Sequence, residues 1–432
     1  MSKNKFNFNN LLLFLIITNH IINSYYYSIP LQHDAAIHHY AVFNILNFRF
    51  NIDTAYSFIY YLFVSFFALI TAPLYYFQLI SDKEAFYLTI KISNLFLIIA
   101  TFFLITLISK KQFKNNKFFF TIPALLIFSF APINRTFLMA RPENIMIPLS
   151  LIIFNYIIDY TNNTKINLKE KITFIISASI VCAQKITGMI FILSTLLYLF
   201  IFFSKRKYYY KIYLILFLLT AVLISLHYYL TGNTPLTRPY NLNSDLNKFL
   251  EIDFKKIFIF TNFSLIDAFN NPLRNAQKDS MINILFLDLF GDYWQYGIHN
   301  YKEINFYKEC LIKSNQTSLF LSTYFFFLLI CALIYFLKKK IFNKNKIILQ
   351  QIILVFSGFL ILILGGFYEY IPEKGDIFKW EYINFFFIFS AFLVTKYLII
   401  TNKIKFNKIL KITFFIFILT AYYQNSILSC PS

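Results

Sequence analysis

The chain has 432 residues, of which 58% are hydrophobic, 21% aromatic and only 14% charged, with a net charge of +20. Soluble domains run near 45–50% apolar and about 25% charged, so a water-soluble globular enzyme is excluded. Four cysteines and eight glycines exclude a disulfide scaffold and a collagen-like chain. What remains is an all-α polytopic membrane protein, because the apolar stretches are continuous and lack the alternation of a β-barrel. The Phe and Tyr excess accompanies abundant Ile, Asn and Lys, all with AT-rich codons, so it is not by itself a sign of ligand stacking.

In chain order, apolar runs fall at 11–27, 86–108, 118–133, 145–160, 172–184, 187–203, 212–230, 318–337, 347–367, 381–400 and 412–427, each near the length that spans a bilayer. Lys3 and Lys5 ahead of the first run, with no small-residue cleavage site after it, make that run an uncleaved signal-anchor. Six segments (1–10, 110–117, 161–171, 204–211, 338–346 and 401–411) hold 22 of the 40 Lys and Arg. All six belong on the cytoplasmic side. The whole net charge then lies on one face of the membrane, which removes a nucleic-acid partner. Residues 28–52, 131–144, Lys185, 231–317 and 368–380 fall outside.

Residues 53–80 are apolar as well, but a single crossing there would invert the cluster at 110–117. They must cross twice or lie in the interface, with Thr71-Ala72-Pro73 as the break. The expectation is 11 to 13 transmembrane helices: an N-terminal module over 1–230, a large neutral outer loop over 231–317 and C-terminal helices over 318–432. Cys310 and Cys430 both lie outside and pair if that compartment is oxidising.

The residues suited to chemistry cluster on the outer side. In the first outer loop, 33–46 reads as an amphipathic surface helix on which Asp34, His38, Ala41 and Ile45 share a face. Asp34 can act there as a general base. His33, Asp34, His38 and His39 can also be read as ligands of a divalent metal, although their spacing is not a usual ligand pattern, and a wet surface helix capped by an acid is the plain alternative. Next come Arg141 and Glu143, at the mouth of the run from 145. Five of the six Arg lie outside (Arg49, Arg135, Arg141, Arg238 and Arg274), and Arg holds phosphate bidentately where Lys does not. A structural Arg141–Glu143 pair is the bland reading of that mouth. Gln184-Lys185-Ile186-Thr187-Gly188 forms a polar tip between two short runs, with Lys185 at membrane depth, or as an ordinary turn lysine. In the large loop, Asp292, Tyr293 and Trp294 can hold a sugar face or anchor the interface, and Lys379-Trp380-Glu381-Tyr382 leads into the run at 381–400.

The order of these features resembles the GT-C membrane glycosyltransferases, in the branch of the protein O-mannosyltransferases and bacterial lipid-A aminoarabinose transferases (glycosyltransferase family 39-like). The resemblance rests on His33-Asp34-Ala35-Ala36, Pro73-Leu74-Tyr75-Tyr76, Glu84-Ala85-Phe86 through Lys91, Gln184 to Gly188 and Lys379 to Tyr382. It covers roughly half the chain. The usual acidic pair is single here, Asp34 followed by Ala35. The resemblance implies a GT-C-like fold with outer juxtamembrane helices over 53–80. It implies transfer of a sugar from a polyprenyl-phosphate donor to an acceptor hydroxyl of a glycan, lipid or protein, with inversion. Asp34 would be the catalytic base, Arg141, Lys185 and Lys379 would hold the donor phosphate, and His38, Glu143, Asp292, Tyr293, Trp294 and Tyr382 would line the substrate cleft. The resemblance points to a bacterial inner membrane with the site on the periplasmic face. Competing readings are an O-antigen polymerase or ligase, and a lipid or solute transporter.

Overall fold

A computed structural model describes residues 8–26, 35–47, 49, 57–113, 120–162, 166–203, 209–231, 264–273, 280–291, 304–341, 345–369, 383–401 and 407–424. Every element among the described residues is an α-helix, with short 3₁₀ turns at some ends. Among the described residues, five helices are long and apolar enough to cross a membrane: Phe58–Tyr76, Asp82–Gln112, Glu143–Thr161, Lys211–Leu230 and Glu309–Lys338. Shorter apolar helices cover Thr187–Phe202, Lys346–Ile361, Asn384–Ile400 and Ile412–Gln424. Long rows of apolar side chains face outward, for example Leu214, Phe217, Leu218 and Val222, which water would not tolerate over such an area. The chain is an α-helical membrane protein.

The helices are α1 (Phe8–Tyr26), α2 (Ala35–Leu46), α3 (Phe58–Tyr76), α4 (Asp82–Gln112), α5 (Ile122–Ile127), α6 (Ala131–Leu138), α7 (Glu143–Thr161), α8 (Leu168–Gln184), α9 (Ile186–Phe203), α10 (Tyr209–Thr231), α11 (Leu265–Asn270), α12 (Met281–Asp288), α13 (Ile304–Lys338), α14 (Lys346–Glu369), α15 (Asn384–Ile400) and α16 (Asn407–Gln424). Local chemistry starts them. Ser81 and Glu84 form a capping box on α4, with Ser81 Oγ accepting from the Glu84 N–H at 3.2 Å and Glu84 Oε2 accepting from the Ser81 N–H at 2.8 Å. Asn167 and Glu170 do the same for α8.

The core is built around α15, which is buried on every side from Asn384 to Thr395, as expected of a helix apolar all round. Its phenylalanines meet rings from five neighbours. Phe387 touches Phe130 at 4.8 Å, Phe389 touches Phe154 at 4.8 Å, Phe385 stacks on Phe191 at 5.1 Å, and Phe386 meets Phe359 at 4.8 Å. Phe392 completes the set against Phe113. Much of the aromatic excess is therefore internal packing.

The apolar run at 118–133 is not one helix. It divides into α5 and α6 with a turn at Phe128–Phe130. Pro132 is the cause: it has no N–H for the Phe128 carbonyl one turn back. That carbonyl instead accepts from Asn134 Nδ2 at 2.8 Å, and the Ala131 N–H donates to the Leu289 carbonyl at 3.0 Å. The break thus receives the C-terminal end of α12. Part of the stretch expected as an outer loop is built into the bundle: Asn315 donates to Pro272 O, Gln316 to Phe269 O and Ser318 to Leu287 O, each at 2.8 Å. α13 correspondingly begins at Ile304 and not near 318.

α3 is continuous. Pro73 sits in its last turn and Thr71-Ala72-Pro73 does not split it, so of the two expected arrangements, two crossings or an interfacial position, the double crossing does not form within 58–76. Its neighbours place it. α7 lies beside α4 from Asn94, where Asn144 Nδ2 donates to Asn94 Oδ1 at 2.8 Å, to Lys111, whose ammonium is 2.5 Å from Asp159 Oδ2. The part of α4 before Asn94 overhangs α7 by roughly 18 Å. α3 packs on that overhang and just past it, with Thr71 and Thr89 hydroxyls 2.6 Å apart and Phe67 against Phe96.

Candidate functional site

The start of α7 carries Glu143, and the single residue between α8 and α9 is Lys185, in extended conformation. Lys185 Nζ lies 2.5 Å from Glu143 Oε1. Glu143 thus pairs with Lys185, and Arg141 lies in electrostatic reach of the same carboxylate. The α8–α9 turn is this tight because of Gly188. A Cβ there would stand 2.1 Å from the Val181 carbonyl oxygen and 2.9 Å from the Met146 methyl.

Arg141 sits on a short loop that two asparagines clamp. Asn94 Nδ2 and Asn144 Nδ2 both donate to the Met139 carbonyl, at 3.0 and 2.8 Å, while Asn144 also donates to Asn94. All three partners are buried. The loop is thereby tied to α4 and α7, and the guanidinium is presented beside Glu143 and Tyr60.

α2 closes the site. The expected surface helix over 33–46 is observed from Ala35 to Leu46, and the face shared by His38, Ala41 and Ile45 is its buried face. His38 Nδ1 is 3.0 Å from the Tyr61 hydroxyl, and its ring stands edge-on to Tyr60 at 5.8 Å. Tyr60 in turn is in electrostatic reach of Glu143 and Arg141. His38, Tyr60, Tyr61, Arg141, Glu143 and Lys185 thus form one connected group at the end of the bundle opposite the lysine clusters. His39 faces differently: its ring lies against Phe43 and Phe86, with Nε2 3.6 Å from Asp82 Oδ2. Burial holds its pKa below the ordinary histidine value, only partly opposed by the Asp82 charge.

Four of the expected site residues (His38, Arg141, Glu143 and Lys185) are brought together. Asp34, Asp292, Tyr293, Trp294, Lys379 and Tyr382 lie outside the described residues, as does His33. Arg135, one of the outer arginines expected to be available for phosphate, is turned inward: its guanidinium donates to Asp288 Oδ1 and to the Gly291 carbonyl, both at 2.7 Å, with both residues buried. Tyr60, Tyr61, Asn94 and Asn144 were not singled out by sequence; adjacent tyrosines at the start of an apolar segment were the available signal. Among the described residues, no three His, Cys, Asp or Glu converge as a metal site. Cys310 is disulfide-bonded, Cys182 and Cys331 are free thiols, and Cys430 lies outside the described residues.

No protein-family model, curated protein or solved structure matches this chain.

Proposed function

We propose that the protein is an inverting glycosyltransferase of GT-C-like architecture, moving a sugar from a polyprenyl-phosphate donor to an acceptor hydroxyl on the non-cytoplasmic face of the membrane. The observation that carries this reading is the convergence of Arg141 and Lys185 on one carboxylate, Glu143, beside the buried face of α2. Two fixed cations over one anion leave a positive site of the kind that holds a phosphate leaving group. The face of α2 that meets Tyr60 and Tyr61 carries His38, which the resemblance puts in the substrate cleft. We read α3 as a juxtamembrane helix and not a crossing, although it is long and apolar enough to span, because that reading satisfies the charge pattern of the lysine clusters. A disulfide at Cys310 supports an oxidising compartment, such as a bacterial periplasm, at that end.

In this mechanism the acceptor oxygen attacks the anomeric carbon while the bond from that carbon to the phosphate oxygen breaks. The Asp34 carboxylate takes the hydroxyl proton. The phosphate leaves with the bonding electrons, and Arg141 and Lys185 stabilise its charge. Lys379, Asp292, Tyr293, Trp294 and Tyr382 would complete the donor and acceptor cleft. The test supplies membranes containing the protein with radiolabelled polyprenyl-phosphate sugars and follows the label. Wild type should move one label to an acceptor, and Asp34→Asn should abolish the transfer while inserting normally. Undiminished turnover in that variant would remove the base from the mechanism.

A second reading, a lipid or solute transporter, draws on one observation: the helix broken between α5 and α6 with the buried Arg135–Asp288 pair beside it. Interrupted helices and intramembrane charges are features of transporter binding sites. Uptake or flipping by proteoliposomes, without covalent transfer of label, would favour it.

A further inference from the structure

Beside the Lys185–Glu143 pair lie polar atoms that the fold leaves unsatisfied. Gln184, the last residue of α8, is 2% exposed, and neither its carboxamide nitrogen nor its oxygen has a hydrogen-bond partner. Glu143 uses Oε1 on Lys185, while its Oε2 is buried and unpartnered. Thr187 Oγ1, two residues beyond Lys185, is buried and unpartnered as well. Across the helix interface, Phe191, one turn after Thr187, stacks on Phe385, and the neighbouring Asn384 has both carboxamide atoms buried without partners. Buried polar groups are nearly always hydrogen-bonded, and each exception calls for a reason. Unsatisfied atoms occur elsewhere in the core too, but these flank Lys185, whose side chain is partly exposed.

The chemistry of a polar guest there can be read from the orphaned atoms. A carboxamide offers donor and acceptor together and is satisfied by a group that does both, a hydroxyl. A carboxylate oxygen accepts only, and so needs a donor. A threonine hydroxyl matches either role. The acceptor atoms among them, the Gln184 carboxamide oxygen and the second Glu143 oxygen, are unsuited to a phosphate, which presents acceptors only and is better held by the cations. We infer that Gln184, Thr187 and the second oxygen of Glu143 form a hydroxyl-reading subsite next to the phosphate-binding cations, which recognises the sugar ring of the donor and distinguishes it from the bare lipid phosphate. This inference rests on the transferase reading and adds the residues that set its donor specificity. A site built to hydrogen-bond hydroxyls discriminates strongly, because a ligand lacking them leaves the protein groups buried and unpaired.

The experiment measures binding to the purified, detergent-solubilised full-length protein with four probes: a short-chain polyprenyl phosphate, and the same lipid carrying glucose, galactose or mannose. Wild type should bind at least one glycosylated probe at least about tenfold more tightly than the bare lipid phosphate. Gln184→Leu should shrink that preference to within about threefold while leaving affinity for the bare lipid phosphate within about twofold. Thr187→Val should reduce the preference as well, and serves as the readout if the Gln184 variant does not fold. Lys185→Met should weaken all probes together. If both Gln184→Leu and Thr187→Val retain the wild-type sugar preference, the subsite is refuted and the phosphate-binding reading stands. If wild type binds the three glycosylated probes no better than the bare lipid, the subsite is again refuted. If it binds none of the four probes, the transferase reading falls and the subsite with it.

Discussion

The Lys185 ammonium and the Glu143 carboxylate meet at 2.5 Å although 42 positions separate them in the chain. Their exposures are unequal: the glutamate side chain is 3% exposed and the lysine 26%. Removing Lys185 takes away the bonded partner of a buried carboxylate and leaves it only Arg141 in reach, whereas removing Glu143 leaves a cation that water can reach. Lys185→Met should therefore destabilise by about 3 kcal/mol or more, and Glu143→Gln by clearly less, with the double variant recovering part of the loss. Thermal unfolding in detergent measures this. The same variants should separate in ligand affinity, since Glu143→Gln releases the ammonium for phosphate while Lys185→Met deletes it. Equal destabilisation by both single changes would mean that the pair is solvated.

The Arg135–Asp288 pair should behave as a closed structural unit. Both side chains are buried, and Arg135 also holds the Gly291 carbonyl. Either Arg135→Met or Asp288→Leu alone should cost about 3–5 kcal/mol, while both together should be much less harmful than the sum. A double-mutant cycle on thermal stability tests the coupling. Additive losses would show that the two do not act as a pair.

Much of the helical plan was legible because lipid-spanning helices are written as long apolar runs, and α1, α4, α7, α8, α9, α10, α14, α15 and α16 fall where those runs do. The misread segments are those where one side chain overrides the run. Pro132 breaks 118–133, while Pro73, in a last turn, breaks nothing. Among site residues, Arg141, Glu143 and Lys185 stood out as charges at the ends of apolar runs. Arg135 looked the same in sequence, but its partner Asp288 lies 153 positions away, and no local pattern encodes such a pairing. Tyr60, Tyr61, Asn94 and Asn144 were hidden for the same reason: their roles are set by tertiary neighbours.

Gly188 sets how closely α9 returns against α8. Its missing side chain leaves room for the Val181 carbonyl, a backbone atom that cannot swing aside as a flexible side chain would. Gly188→Ala should force the two helices apart, lower stability by about 1–3 kcal/mol and shift Lys185 away from Glu143. Thermal unfolding together with lipid-phosphate affinity measures both effects. A variant as stable and as tight-binding as wild type would contradict the close approach.

His39 gives the α2–α4 contact a pH dependence. Its pKa lies below the usual 6.5 because burial disfavours the cation. Near neutral pH both folded and unfolded chains hold the neutral ring. As pH falls through 6.5 the unfolded chain takes up a proton that the folded chain resists, so stability is lost toward acid and present above that range. The Asp82 carboxylate, 3.6 Å away, opposes the effect, so Asp82→Asn should steepen the acid loss and His39→Gln should flatten it. Melting temperatures from pH 8 down to pH 5 make the comparison.

Cys310 lies near the start of α13 and is disulfide-bonded, whereas Cys182 and Cys331 are free. With four cysteines in the chain, non-reducing peptide mapping of the protein from its native membrane should join the Cys310 peptide to that of Cys430. Alkylation before reduction should label neither of these two. The bond needs an oxidising compartment, so it should persist in protein isolated from an oxidising space and fail when the chain is produced with both ends of α13 held in a reducing one. Reduction should lower the melting temperature of wild type and leave that of Cys310→Ser unchanged. An equal drop in both would place the reducible link elsewhere.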